Sequence, residues 1–586
     1  MRSSTLAVTA AASAGIVNAA ANSTLSDICT TSYIQQSLPD PATIGLAVTL
    51  NSASVTANAV SNTTTTGNTF FPDATISYCN VTFTYSHTGR EDSVLVQYWL
   101  PAPANFQGRY LSTGGGGYAI NSQDQSLPGG IIYGASAGIT DGGFGGFTNN
   151  FDTTFPLANG TANYDSLFMF GYQAHHELSL IGKQFTKNVF GMGDSKLYSY
   201  YQGCSEGGRE GWSQVQRYAD EWDGAITGAP AMRFAHQQVQ HLYSNVVEKT
   251  LGYYPPPCEL GMIANLTIAA CDPMDGKTDG VVARTDLCKL NFDLNSTLGE
   301  AYSCAATPAS TNPYNPTPAL PAQNGTISAE GIAVAAKIID GLRDTQGRRA
   351  YLSYQPAATF DDAATTYNDE TNSWELSISS LGSEFPVRFI ELLDASTFDA
   401  GTFDNVTYDT LRDWMYTGWQ MYEDTLQTTW PDLTPFQAAG GKVLHFHGES
   451  DNSIPTASSV RYHESVRSVM YPNITFNEST EALGDWYRLF LVPGAAHCAT
   501  NPYQPNGPFP QTNLAVLIDW VENGNTPATL NATILQGEFE GEEQQICAWP
   551  LRPMWSNNGT TMACEYDQAS IDSWIYDFDS FPMPVY

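Results

Sequence analysis

The chain has 586 residues, 42% of them hydrophobic, enough to bury an extensive core in several domains or in one large domain with an insertion. Its 24 basic residues face 59 acidic ones, a formal charge of −35 with a sequence pI near 4.3. Such a balance repels phosphate backbones and anionic bilayers, which excludes nucleic acid and membrane surfaces as partners, and it suits solubility in an acidic medium.

In chain order, Arg2 is followed by an apolar and small-residue run over 6–21 in which Val17-Asn18-Ala19 and Asn18-Ala19-Ala20 resemble cleavage sites, so residues 1–19 read as a signal peptide. No later stretch reaches the roughly 18 apolar residues of a membrane span, and the ending "SFPMPVY" carries no anchor tail. The expected product is secreted and soluble. Secretion implies oxidation, so the ten cysteines form a set for five bridges whose pairing the sequence leaves open. Asn-x-Ser/Thr sites at Asn80, Asn159, Asn265, Asn295, Asn405, Asn473, Asn531 and Asn558 fit a glycosylating secretory pathway.

Residues 93–100 and 109–111 read as strands, and the second runs into "STGGGGYA", 112–119. A further strand over 196–201 leads into Gly203-Cys204-Ser205-Glu206-Gly207 and then a helix over 209–218. Strands return at 443–447 and 489–492, before a helix over 514–522 stopped by Asn523-Gly524. This alternation predicts an α/β fold. Between its halves lie four cysteines, a long helical region and an uncharged Pro-rich stretch, 305–323. The expected organisation is a split catalytic domain, 20–230 and 432–586, with an inserted lid domain over 231–431.

Gly-x-Ser-x-Gly sets a serine on a tight strand-to-helix turn. Chance would supply on the order of 0.3 matches in such a chain, and there are two, around Ser205 and Ser136. Ser205 has a strand before it and a helix after it; Ser136 lies in a glycine-rich stretch without a helix pattern. An α/β-hydrolase then needs an acid after one late strand and a histidine after the next. Asp451 follows the strand ending at His447, and His497 follows the strand ending near Pro493. Ser205, Asp451 and His497 are therefore the expected nucleophile, acid and base, with Asp451 also readable as a turn residue. His445 and His447 alternate within an apolar strand and read as core or wall residues.

Cys204 precedes the expected nucleophile and Cys498 follows the expected base, so a Ser205–His497 contact would bring them near enough to bridge, two cysteines each paired elsewhere being the other reading. Closing so long a loop is worth about 5 to 6 kcal/mol in the chain-entropy treatment. For the oxyanion, the Glu206 amide and amides of the glycine loop, Gly116 and Gly117, are the candidates. Phosphate binding by that loop would need a following Lys-Ser/Thr, which is missing. His175-His176-Glu177 lacks the second histidine of a zinc-protease motif, Leu180 standing there.

Together "GCSEGGREG", 203–211, "GAITGAP", 224–230, "YYPPPCEL", 253–260, "HGESD", 447–451, and the ending "PVY" resemble the fungal tannase and feruloyl esterase family, its tannase branch above all. The resemblance extends over essentially the whole mature chain. It implies an α/β-hydrolase core with a large inserted lid, no organic cofactor, and gallotannins and simple gallate esters as partners, cleaved at galloyl ester and depside bonds. A feruloyl esterase is the alternative; a non-catalytic secreted binding protein on the same fold is another, against which the retained triad argues. The resemblance also implies a structural Ca2+ held by Asp272, Asp275 and Asp279 with backbone oxygens of Lys277 and Val281, where an acidic solvated turn is the other reading. Some relatives are cut at basic residues in the insertion. The 305–323 stretch contains no Lys or Arg, so no dibasic cleavage is expected there.

Overall fold

Nine runs of strand chemistry pair into one sheet in a computed structural model that describes residues 23–148, 157, 158, 160–310, 318–393, 400–582 and 584–586. The leader expected at 1–19, Asn159 and residues 311–317 of the Pro-rich stretch lie outside the described residues. In chain order the strands are β1 (Val48–Thr65), β2 (Ala74–His87), β3 (Val94–Pro101), β4 (Arg109–Thr113), β5 (Ala135–Thr140), β6 (Tyr198–Cys204), β7 (Gly224–Gly228), β8 (Lys442–Gly448) and β9 (Tyr487–Val492). Their order across the sheet is β1-β2-β3-β5-β4-β6-β7-β8-β9. The β1, β2, β3 and β5 neighbours run antiparallel, and every pairing from β5 through β4 to β9 is parallel. This is the α/β-hydrolase arrangement.

The parallel strands are buried on both faces, as parallel sheets require. Side chains alternate between two cores: Tyr110, Tyr201, Ala225 and Val443 enter one, while Leu111, Tyr200, Ile226 and Leu444 enter the other. The helices α1 (Ala174–Val189), α2 (Glu206–Arg217) and α4 (Ala457–Met470) add Leu178, Trp212 and Val460 to the first core. Helix α5 (Asn513–Asn523) adds Leu514 and Leu517 to the second. A short helix, α3 (Phe234–Gln240), follows β7 and is buried throughout. Among the described residues, none between 231 and 431 contributes a strand to the central sheet.

Expected elements and observed ones agree in kind and differ by a few residues at their ends. The strand over 196–201 is β6, which starts later and runs to Cys204, and the helix over 209–218 begins already at Glu206. Ser136 sits inside β5, fully buried, and not in a turn.

The ten cysteines pair as Cys29–Cys79, Cys204–Cys498, Cys258–Cys304, Cys271–Cys288 and Cys547–Cys564. Next to the end of β8, a buried charge network anchors the loop that carries Asp451. Glu449 takes 2.6 Å hydrogen bonds from Arg552 and from the Thr285 hydroxyl. Arg552 also reaches Asp286, which pairs with Arg284 at 2.7 Å, and Arg284 reaches Asp567 at 2.6 Å. Burial pushes the Glu449 carboxyl up while Arg552 pulls it down. Breaking one member strands the others in a low dielectric, so Arg552→Met should cost about 3 to 5 kcal/mol, read as a lower denaturant midpoint. An unchanged midpoint would show that Arg552 does not balance Glu449.

Candidate active site

Helix α2 starts directly where β6 ends, and the turn between them requires small residues. A Cβ on Gly203 would sit 2.4 Å from Gly207 O, and one on Gly207 would sit 2.8 Å from Gly115 O. Ser205 occupies this elbow with φ +63°, a conformation a non-glycine residue adopts only when its surroundings enforce it. Two bonds enforce it: Ser205 N–H donates to Gly228 O at 3.0 Å and Ala231 N–H donates to Ser205 O at 3.1 Å.

The expected trio comes together. His497 Nε2 lies 2.8 Å from Ser205 Oγ, and His497 Nδ1 lies 2.8 Å from Asp451 Oδ2. Asp451 is 1% exposed, and its other oxygen accepts the amides of Ser453 and Ile454, each at 2.8 Å. Burial alone would raise this carboxyl, but the His497 and His447 imidazoles hold it well below the usual carboxylate range. Cys204 and Cys498, with Cα atoms 6.0 Å apart, are bonded beside the nucleophile and the base.

The glycine loop docks on α2 from both directions. Gly207 N–H donates to Gly115 O at 3.0 Å, and Gly115 N–H donates to Glu210 Oε2 at 2.8 Å. The Gly116 amide is spent on Ala119 O at 3.0 Å, which closes the loop's own turn. That corrects the expectation for Gly116: its hydrogen already has an acceptor, leaving Gly117 and Glu206, which border the same cavity as Ser205. The Glu206 carboxyl turns back to Arg209 at 2.5 Å, and burial pushes it up against that pull.

Ser205 and His497 open onto a cavity of about 720 Å3, within the usual range for small-molecule sites. Its walls include Gln237, Gln238, His241 and Leu381 from the 231–431 segment, with Phe70 and Phe446 from the sheet side. Gln237 is committed, its amide donating to Ser453 O at 2.7 Å and its oxygen accepting from Tyr351. His241 Nδ1 pairs with Asp362 at 2.8 Å, which raises the imidazole against its burial. Gln238 is 5% exposed and its Oε1 has no hydrogen-bond partner among the described residues. Sequence reading did not single out these wall residues, because nothing local distinguishes a cavity glutamine from a helix-surface one.

A sequence profile for tannase and feruloyl esterase matches residues 79–569. The chain belongs to the tannase and feruloyl esterase family. It is 51% identical to a tannase of Aspergillus oryzae over 604 aligned positions, covering 100% of both chains. Among solved structures it is similar to a tannin acyl hydrolase from Aspergillus niger, at 64% identity and TM-score 0.92, covering 96% of this chain and 100% of that one. It also shares its fold with a feruloyl esterase B from Aspergillus oryzae, at 23% identity and TM-score 0.66, covering 91% and 100%.

The aspartate loop was expected to gather around a cation. Asp272 and Asp275 are buried in it beside Val281, and the Asp279 side chain is 6% exposed. Asp272 accepts the amides of Asp279, Gly280 and Val281, while Lys277 Nζ lies 2.8 Å from Asp279. Burial pushes the Asp275 carboxyl up to about 7 against the Lys277 amide, and the Asp279 and Asp272 charges add to the push. The donor chemistry fits a hard cation. Among the described residues no three His, Cys, Asp or Glu side chains stand together as a ready metal cluster. Of the N-glycosylation candidates, Asn265, Asn295, Asn405, Asn473 and Asn558 are exposed, whereas Asn80 and Asn531 are half-buried with side chains bonded to Gln97 and Gln545.

A non-reducing peptide map should recover Cys204 joined to Cys498. Replacing both with alanine should lower kcat/KM by at least about tenfold through lost positioning, whereas removing the Cys547–Cys564 bridge should spare turnover. Cys204 found bonded to any other cysteine would remove the constraint.

Proposed function

We propose that the chain is a secreted serine esterase that hydrolyses galloyl esters and depsides, releasing gallic acid. The observation that carries it is the unbroken contact from Ser205 through His497 to Asp451, with Ser205 and His497 lining a cavity of about 720 Å3. Ser205 Oγ attacks the ester carbonyl carbon while its proton passes to His497 Nε2, and Asp451 stabilises the imidazolium that forms. The oxyanion takes hydrogen bonds from the Glu206 and Gly117 amides. Collapse of the intermediate expels the alcohol, which takes the proton from His497 and leaves an acyl-Ser205 ester. Water, losing a proton to His497, then attacks this acyl group, and the acid departs as Ser205 recovers its proton.

On this reading the ring hydroxyls meet Gln238, whose Oε1 is an unspent acceptor, and the His241–Asp362 pair. The 231–431 segment acts as a lid over a core built from 20–230 and 432–586. The five bridges and the exposed Asn-x-Ser/Thr sites support an oxidising, glycosylating route, and no helix among the described residues is long and apolar enough to cross a membrane.

Ser205→Ala should reduce turnover of methyl gallate by at least about a thousandfold, with Ser136→Ala near wild type; the reverse would reassign the nucleophile. Methyl gallate should be preferred over methyl ferulate when both are assayed side by side. A ferulate preference would move the chain to the feruloyl branch.

The aspartate loop is proposed to take Ca2+ through Asp272, Asp275 and Asp279 and the Lys277 and Val281 carbonyls, with Lys277 Nζ leaving Asp279. Saturating Ca2+ at about 100 times its Kd would add about 2.7 kcal/mol of stability. Chelation should therefore lower the melting temperature while low-temperature activity persists. An unchanged melting curve would leave the loop a plain acidic turn.

A further inference from the structure

Behind the acid, β8, β9 and α4 hold a chain of polar side chains that the ester chemistry does not use. His447 Nε2 lies 3.1 Å from Asp451 Oδ2, the same oxygen that receives His497 Nδ1. It also lies 3.0 Å from Ile454 O. A carboxylate and a carbonyl only accept, so Nε2 carries the hydrogen. On its other side, His447 Nδ1 lies 2.6 Å from Ser459 Oγ on α4. Ser459 Oγ lies 2.7 Å from His445 Nε2, and His445 Nδ1 lies 2.9 Å from the Tyr487 hydroxyl on β9.

With both imidazoles neutral, one assignment satisfies every contact. Tyr487 O–H donates to His445 Nδ1, His445 Nε2–H to Ser459, Ser459 O–H to His447 Nδ1, and His447 Nε2–H to Asp451. Burial, with His447 and His463 nearby, holds His445 well below the usual histidine range, which keeps it uncharged. All four residues are 0% exposed. No bulk solvent competes, and each bond polarises the next toward Asp451.

Period-two alternation would place apolar side chains at 445 and 447 just as well, and the Trp212 and Tyr487 rings pack against His445. Two imidazoles and a serine in such a place need a compensating role, because each buried polar atom must find its partner. The partner at the end of this series is the acid of the triad.

We propose that His447 is a positioning residue. Clamped as the Nε2–H tautomer by Ser459, His445 and Tyr487, it donates to Asp451 Oδ2, fixes that carboxylate against His497, and draws off part of the charge felt by that imidazole. The inference rests on the triad reading above. Other charged groups facing Asp451 are His497, Asp361 and the His241–Asp362 pair. Those facing the far end of the chain are His463 and its neighbour Glu464.

The sign follows from competition for one oxygen. Without the His447 hydrogen, more of the Asp451 charge acts on His497, the imidazolium is favoured, and the base is lost at higher pH. His447→Leu should therefore move the acid limb of kcat/KM upward by about half a unit or more and lower kcat about tenfold, with KM little changed. His447→Gln sets an amide N–H where Nε2 stands and should return the limb to its wild-type position. Ser459→Ala keeps the imidazole but frees its tautomer, giving an intermediate shift.

The same series is read by the pH dependence of Ser205 labelling with a serine-directed phosphonate, which needs the Ser205–His497 pair but no galloyl group. Wild-type protein that resists the phosphonate and turns over no ester defeats the triad reading and the relay with it. Wild-type protein that reacts, beside a folded His447→Leu with an unmoved limb and unchanged kcat, overturns the relay alone. So does a His447→Gln protein displaced as far as His447→Leu. If His447→Leu does not fold, Ser459→Ala decides: a limb superimposed on the wild type overturns the clamp.

Discussion

Ser205 and His497 are 292 residues apart in the chain and 2.8 Å apart in space, and the rest of the site depends on that contact. A single hydroxyl–imidazole hydrogen bond is worth only about 1 kcal/mol net, too little to hold two loops in register. The covalent bond between their immediate neighbours, Cys204 and Cys498, does the holding. Ser205 and Cys498 both sit at positive φ, +63° and +55°, which costs of order 1 to 3 kcal/mol at each. A bridge that restricts the unfolded chain offsets such costs without adding bulk to the cavity. Cys204 thus belongs to the geometry of the Ser205–His497 contact.

The second constraint is charge. Asp451 must remain ionised while almost wholly buried, and the loop that carries it is anchored by further buried charges in Glu449, Arg552, Asp286 and Arg284. Ser450 adds a neutral tie: its hydroxyl accepts from Gln504 Nε2 at 2.7 Å, and Gln504 Oε1 accepts the Val282 amide at 2.8 Å. The segment following the aspartate loop is therefore stitched to the acid loop at Thr285 and Val282. Buried ion pairs of this kind add little net stability over apolar packing, yet they allow few alternative arrangements. A rigid acid loop is the gain.

Ser205, Asp451, His497 and the Cys204–Cys498 pair were legible because each depends on a local pattern: glycines around a serine, a short loop after a buried strand, a cysteine next to a reactive residue. His447 was read as core, and its burial agrees. Its contact with Asp451 was invisible, since the alternation that hides it in a strand is the same alternation that aims it at α4. Gly116 failed for a related reason: glycine content shows that a backbone can approach a substrate, but not which amide is already closing a turn. Strand ends moved by a few residues where the glycines of α2 let the helix begin immediately after Ser205. The α/β class was legible in the alternation of strand and helix patterns, whereas the strand order across the sheet depends on long-range pairing that no window of sequence contains.

The Ser205–His497–Asp451 trio and the opposite wall of its cavity come from different parts of the chain. Ser205, His497, Asp451 and the glycine loop are fixed by the sheet, the bridge and α2, where a shift of half an ångström would break a hydrogen bond. Gln238, His241 and Leu381 reach the same cavity from segments that add no strand to that sheet. Side chains there can change volume and polarity without disturbing the 2.8 Å contacts among Ser205, His497 and Asp451. A family described as tannases and feruloyl esterases fits this separation, since fold and site wall can vary independently.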